Sequence, residues 1–250
     1  MSDEIILETR GLTKEFKGFV AVQDVSLKVR RGSIHALIGP NGAGKTTCFN
    51  LLTKFLEPTA GQILYNSVDI TSEQPAQIAR RGIIRSFQIS AVFPHLTVLE
   101  NVRIGLQRAM GNSFHFWKSE RVLGSLDARA MQLLESVDLG TFASSVTVEL
   151  PYGRKRALEI ATTLAMEPEL MLLDEPTAGM GHEDVDRVKE LIKKVSANRT
   201  ILMDEHNMGV VSDICDTISV LQRGSVLAEG PYAEVSKNPG VIEAYMGTVH

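Results

Sequence analysis

The segment Gly39-Pro40-Asn41-Gly42-Ala43-Gly44-Lys45-Thr46 has the spacing G-x-x-x-x-G-K-[ST] and lies between a short apolar run, Ile34 to Ile38, and a helical pattern from Thr46 to Phe55. A strand, a glycine-rich turn and a helix in that order make a phosphate-binding loop. The glycines let backbone amides converge on phosphate oxygens, the helix directs its positive end at the same anion, and Lys45 adds a point charge. Thr46 supplies a hydroxyl for the Mg2+ that bridges the outer phosphates, and Thr47 completes the expected nucleotide-contacting set. A dinucleotide fingerprint is excluded, because Lys45-Thr46-Thr47 follows Gly42-Ala43-Gly44 where a third glycine is needed.

A second chemical signal lies far down the chain. The apolar run Leu170 to Leu173 leads into Asp174-Glu175-Pro176, so two adjacent carboxylates leave the end of a buried strand, where α/β sheets place their ligands. Adjacent side chains point in different directions. Asp174 is expected to hold the metal, usually through water, and Glu175 to polarise the water that attacks the γ-phosphorus. Cys48, beside the loop, reads as core packing rather than as a nucleophile.

The elements that must position these groups are legible from periodicity. Ile5-Ile6-Leu7 and Val25 to Val29 carry strand patterning and predict a small antiparallel layer. Leu170 to Leu173 and Thr200 to Met203 predict strands of a parallel sheet, buried on both faces. Between them Val185, Val188, Leu191, Ile192 and Val195 recur at helical spacing, giving strand, helix, strand. From about Thr97 to Met166 helices dominate, at Leu126 to Val137 and Arg154 to Met166. The expected fold class is therefore α/β: a P-loop core with a parallel sheet over 1–90 and 167–250, an N-terminal antiparallel layer, and an inserted helical subdomain over 91–166. A short helix is predicted around Val241 to Tyr245.

Charge and composition narrow the partners. With 26 basic against 30 acidic side chains and a net charge of −4, the chain offers no broad positive field for nucleic acid. No apolar run approaches the roughly 20 residues that cross a bilayer, so a membrane role must come through a partner. Two distant cysteines, Cys48 and Cys215, argue against a disulfide framework or zinc site and for the cytosol. Two basic groups, Arg80-Arg81 with Arg85 and Lys193-Lys194, are explained as solvated faces, and the aromatic cluster Phe114-His115-Phe116-Trp117 as packing.

With that loop and that Asp-Glu pair in one chain, the sequence resembles the ATPase subunits of ATP-binding cassette transporters over essentially its whole length. The resemblance assigns Phe16 to stacking on adenine, Gln88 to linking the metal with the helical subdomain, and His206 to the γ-phosphate. It also places Tyr152 and Gly153 against nucleotide bound by a second ATPase subunit. Two departures stand out. The family's L-S-G-G-Q is here Leu150-Pro151-Tyr152-Gly153-Arg154, without the serine hydroxyl, and Ala178-Gly179-Met180-Gly181 replaces the S-A-L-D loop, without its aspartate.

The L-x-Y-G form, Phe93 to Val102 and the ending Val241 to Gly247 resemble the branched-chain amino acid importers and their relatives for urea and short amides. The resemblance implies ATP and Mg2+ as cofactors. It implies as partners transmembrane permease subunits, a second ATPase subunit and a periplasmic or extracellular solute-binding protein, at the cytoplasmic face of the inner membrane. Two rival classes remain at this point: a soluble cassette that remodels a ribosome or repair complex, and an ATP sensor without turnover, against which Glu175 and His206 argue.

Overall fold

The chain opens on β1 (Ile5–Phe16), followed by β2 (Phe19–Val25), β3 (Lys28–Arg30), β4 (Ile34–Ile38) and α1 (Lys45–Leu52). The computed structural model describes residues 4–86, 92–109 and 120–246. Next come β5 (Ala60–Tyr65), β6 (Val68–Asp69), α2 (Pro75–Arg80) and β7 (Ile83–Ser86). The helices α3 (Val98–Ala109), α4 (Glu120–Ser136) and α5 (Tyr152–Leu164) lead to β8 (Leu170–Asp174), α6 (His182–Ser196) and β9 (Thr200–Asp204). The chain closes with α7 (Met208–Ile214), β10 (Thr217–Gln222), β11 (Ser225–Gly230), α8 (Tyr232–Val235) and α9 (Pro239–Met246).

Two sheets organise these elements. The central one has the order β11-β10-β4-β9-β8-β7, parallel from β10 to β7 with β11 antiparallel at its edge. The other is antiparallel, order β2-β1-β5-β6 with β3 also on β1. Successive side chains of a strand point to opposite faces, and the central strands divide two cores that way. Ile34, Ala36, Ile38, Met171, Leu173, Ile201 and Met203 join the core beneath α3 to α7, whereas Leu37, Leu170, Leu172 and Leu202 join the core shared with α1 and the antiparallel layer. Burial on both faces explains why these strands are continuous apolar runs.

Several boundaries depart from the expected ones: β1 runs on to Phe16, α4 begins at Glu120 and α5 ends at Leu164. Three departures have a local reason. Val25 to Val29 is not one strand: β2 ends at Val25 and β3 begins at Lys28. At the break the buried Thr9 hydroxyl donates to the Val25 carbonyl and accepts from the Leu27 N–H, both at 2.9 Å, so a side chain supplements the one backbone bond there, from the Thr9 N–H to the Leu27 carbonyl. Helix α1 stops at Leu52 rather than Phe55, because Lys54 adopts a left-handed φ of 61° and sends its ammonium to the Thr71 carbonyl. Helix α5 starts two residues before Arg154. Pro151 stands at its N-cap with φ −56°, and a proline at a helix start forfeits no intrahelical hydrogen bond.

Candidate active site

The phosphate loop runs from the carboxyl end of β4 into α1 and is wedged between two carbonyls. Gly39 has φ 152°, and a Cβ there would lie 2.2 Å from the Leu221 carbonyl of β10. Gly44 has φ 104°, and a Cβ there would lie 2.6 Å from the Ala21 carbonyl of β2. Only glycine fits either position without moving backbone. A 2.9 Å bond from the Gly224 N–H to the Ala43 carbonyl ties the loop to the β10–β11 turn. Asn41, Gly42 and Thr46 are exposed, Pro40, Gly44 and Thr47 half-buried, and Ala43 and Lys45 buried. The first N–H groups of α1 have no intrahelical acceptor, so this end of the helix is an anion receptor.

The strands beside β4 bring the other groups to the same sheet edge. β9 pairs with β4 and β8 pairs with β9, all parallel, so Asp174 and Asp204 lie side by side at the carboxyl ends. Lys45 Nζ donates to the Gly39 carbonyl at 2.9 Å and stands 3.9 Å from Asp204 Oδ1. Past the strand ends, His206 Nε2 meets Glu175 Oε1. Glu175 has a left-handed φ of 44°, a conformation that costs a non-glycine residue about 1–3 kcal/mol unless its surroundings impose it. Here its N–H donates to the Asp204 carbonyl at 3.0 Å. The buried Glu205 stitches the two loops together, accepting from the Thr177 hydroxyl at 2.6 Å and from the His206 N–H at 2.8 Å.

Two arginines complete the surroundings. Arg85 of β7 pairs with Asp174 Oδ2 and, at 2.6 Å, with Asn50 of α1; its side chain is 5% exposed. This corrects the expectation of a solvated face, which holds for the exposed Arg80 and Arg81 but not here: Arg85 lies near the end of β7, where its guanidinium meets Asp174 and Asn50 instead of water. Arg156 of α5 donates to the Asp174 carbonyl at 2.9 Å. Asp204 carries the clearest electrostatic perturbation. Burial, opposed by Lys45 and His206 and reinforced by Asp174 and Glu175, pushes its carboxyl up to about 7. Its Oδ1 accepts no hydrogen bond among the described residues. Burial likewise pushes the Cys48 thiol up to about 12, which suits the packing role read for it.

The other expected site residues are placed apart. Phe16 closes β1 opposite Phe19, 40% exposed, with the Lys14 ammonium 5.1 Å above its ring. Tyr152 is exposed in the first turn of α5, and Gly153 lies against α6, where a Cβ would stand 2.6 Å from the Asp184 carboxylate. Gln88 and the cluster Phe114 to Trp117 lie outside the described residues.

Arg85, Arg156 and Asp204 escaped the motif reading. Only Asp204 carried a usable signal: it ends an apolar run and precedes Glu205-His206, as Asp174 ends its own run and precedes Glu175.

The donor set suits magnesium. Mg2+ is bound through one or two oxygen side chains plus substrate phosphates rather than by an all-protein cage. Among the described residues no group of three or more His, Cys, Asp or Glu could hold a metal ion. Thr46 and Asp174 offer hard oxygen donors beside the loop, and Asp204, whose Oδ1 accepts no hydrogen bond, lies beside Asp174.

Known proteins share these features. A family model described as ABC transporter matches residues 22–178, and one described as branched-chain amino acid ATP-binding cassette transporter matches residues 225–250. The chain is 40% identical over 252 residues to the high-affinity branched-chain amino acid transport ATP-binding protein BraF of Pseudomonas aeruginosa, covering 97% of this chain and 98% of that one. It is similar to an ATP-binding cassette of an ABC transporter solved in its ADP conformation, at TM-score 0.86 and 29% identity over 98% of this chain and 99% of the other. It is similar also to a bacterial ABC transporter cassette solved as a dimer, at TM-score 0.75 and 25% identity over 90% of this chain and 98% of that one.

Proposed function

The chain belongs to the ABC transporter family as an ATP-binding ATPase subunit, and on that premise we propose that it powers import of branched-chain amino acids, or of a related small polar solute such as urea or an amide. The observation that carries this reading is the meeting of Lys45, Asp174, Glu175 and His206 at the ends of three adjacent parallel strands, in a chain so similar to a branched-chain amino acid transport protein.

ATP lies with its phosphates in the loop Gly39 to Thr47 and its adenine on Phe16. Its γ-phosphate takes over the Lys45 ammonium that otherwise caps the Gly39 carbonyl. Thr46, Asp174 and Gln88 would hold the Mg2+, which would supply positive charge against that of the phosphates. Glu175 orients the attacking water and accepts its proton as the water oxygen bonds to the γ-phosphorus and ADP departs. His206 holds the Glu175 carboxylate and touches the γ-phosphate. Tyr152 and Gly153 act on nucleotide in a second ATPase subunit, identical or paralogous, so that closure of the pair excludes water and reopening moves the permease. In this reading 91–166 is the moving helical subdomain, and 1–90 with 167–250 the nucleotide core.

Among the described residues no helix is long and apolar enough to cross a membrane, so transmembrane permease subunits carry the solute and this subunit sits on their cytoplasmic face. A cavity of about 580 Å³ between β7, α2, α3 and α5, rimmed by exposed Phe55 and Phe93, offers them an apolar seat. A periplasmic or extracellular solute-binding protein delivers the solute. The test is reconstitution: the chain, co-purified in detergent with its permease and placed in liposomes, should drive ATP-dependent leucine or urea uptake. ATP hydrolysis without association to any permease would overturn the transport reading.

A further inference from the structure

Arg156 has no part in the nucleotide chemistry just described, yet it grips the backbone of the residue that does. Its side chain is 5% exposed, as is that of Glu159, and its Nη1 donates to Glu159 Oε2 at 2.6 Å, one helical turn on. Its Nη2 donates to the Asp174 carbonyl at 2.9 Å. That carbonyl belongs to the same peptide unit as the Glu175 N–H, which donates to the Asp204 carbonyl at 3.0 Å. One peptide plane is thus pinned at both poles, and it immediately precedes the left-handed φ of 44° at Glu175. Turning the plane would relax that φ, swing the Glu175 carboxylate away from His206, and break both bonds.

We propose that Arg156, oriented by Glu159, is a positioning residue for Glu175: from α5 it locks the Asp174–Glu175 peptide so that the carboxylate stays aimed at the attacking water. The inference rests on the role proposed above for Glu175. A guanidinium suits the task because its planar fork serves two acceptors in fixed directions, which a lysine ammonium does not. The location adds a consequence. Tyr152 and Gly153 open the same helix, with Gly153 three residues before Arg156. A shift of α5 as two subunits close therefore reaches this subunit's own carboxylate, linking one nucleotide site to the other.

The test uses the chain assembled with its permease and reads ATP affinity, KM, steady-state kcat and single-turnover hydrolysis. A double change, Arg156→Met with Glu159→Leu, removes the pair without stranding a buried charge. We expect KM and ATP affinity within about 2-fold of wild type and kcat lower by roughly 10- to 100-fold. Arg156→Lys, which still donates to one carbonyl, should restore kcat to within about 5-fold. In a Glu175→Gln background the double change should lower the residual rate no further, because both act through one carboxylate.

Wild-type kcat in a folded double variant, with Glu175→Gln inactive, would overturn the clamp alone. An equal further drop in the Glu175→Gln background would reduce the pair to general support of the fold and overturn it too. Full turnover by Glu175→Gln would remove the role of Glu175 and the clamp with it. Should the double variant fail to assemble, Glu159→Gln decides: a loss in kcat of about 3-fold or more at unchanged KM supports the clamp, and an unchanged kcat overturns it.

Discussion

Lys45 and Asp204 face each other across 3.9 Å at the mouth of the phosphate loop, too far for a hydrogen bond and close enough for strong mutual influence. The lysine keeps one firm bond, to the Gly39 carbonyl, and the aspartate keeps an oxygen without any.

The first expectation follows from that lysine. Lys45→Ala leaves the phosphates with backbone donors alone and removes a charge-assisted contact worth about 1.5–3 kcal/mol. ATP affinity measured by equilibrium binding should fall by roughly 10- to 100-fold. Unchanged affinity would mean that the loop is not the nucleotide site.

Asp204 makes stability depend on pH in a definite direction. Burial lifts its carboxyl to about 7 in the fold, against about 3.9 in an unfolded chain. The folded state therefore binds the proton more tightly. The resulting stability is fully present below about pH 4 and is lost as pH rises towards 7, at up to about 1.4 kcal/mol per unit. Asp204→Asn carries no such loss. In urea unfolding of the nucleotide-free protein, its stability relative to wild type should rise by roughly 2–4 kcal/mol between pH 4 and pH 8. Parallel pH curves for the two proteins would contradict this.

Glu175 is the residue on which turnover should depend most. Glu175→Gln keeps the shape and the neighbourly contact with His206 but loses the basic lone pair, so ATP still binds and hydrolysis falls by about 100-fold or more. A trapped, closed pair should accumulate on size-exclusion chromatography with ATP. Single-turnover hydrolysis within a few-fold of wild type would take the base role from this carboxylate.

At the start of α5 the expectation is asymmetric. Pro151→Ser should alter ATPase activity only modestly, because proline already donates nothing from its nitrogen at that position. Gly153→Asp should be severely impaired. Two causes compete there: repulsion of a neighbouring subunit's γ-phosphate, and the Asp184 carboxylate 2.6 Å from the site of the new Cβ. Adding Asp184→Asn separates them. Persistent loss of ATPase activity in the assembled complex points to the phosphate, recovery points to packing against α6, and wild-type activity in Gly153→Asp itself removes this segment from the site.

The loop and the Asp-Glu pair were legible because their chemistry is written in consecutive residues. Eight positions suffice to specify a turn, a charge and a hydroxyl, and two carboxylates after an apolar run announce a strand end. The strands of the central sheet were legible in part. Leu170 to Leu173 and Thr200 to Met203 stood out as apolar runs, whereas Thr217–Gln222, with four buried residues framed by polar ones, carried too little contrast to be picked out. The break between β2 and β3 was hidden, since it depends on the Thr9 hydroxyl sixteen residues before Val25.

The sequence by itself determined the glycine-rich loop with its lysine, the adjacent carboxylates and where the apolar strands run, because those properties arise from neighbours a few bonds apart. The tertiary structure alone decided what surrounds them. Arg85 reaches Asp174 across 89 positions and Lys45 faces Asp204 because β4, β9, β8 and β7 lie side by side, and Arg156 reaches the Asp174 carbonyl because α5 packs beneath that sheet. Charges and hydrogen bonds act through space over a few ångströms, and only the folded sheet brings such distant positions within that range.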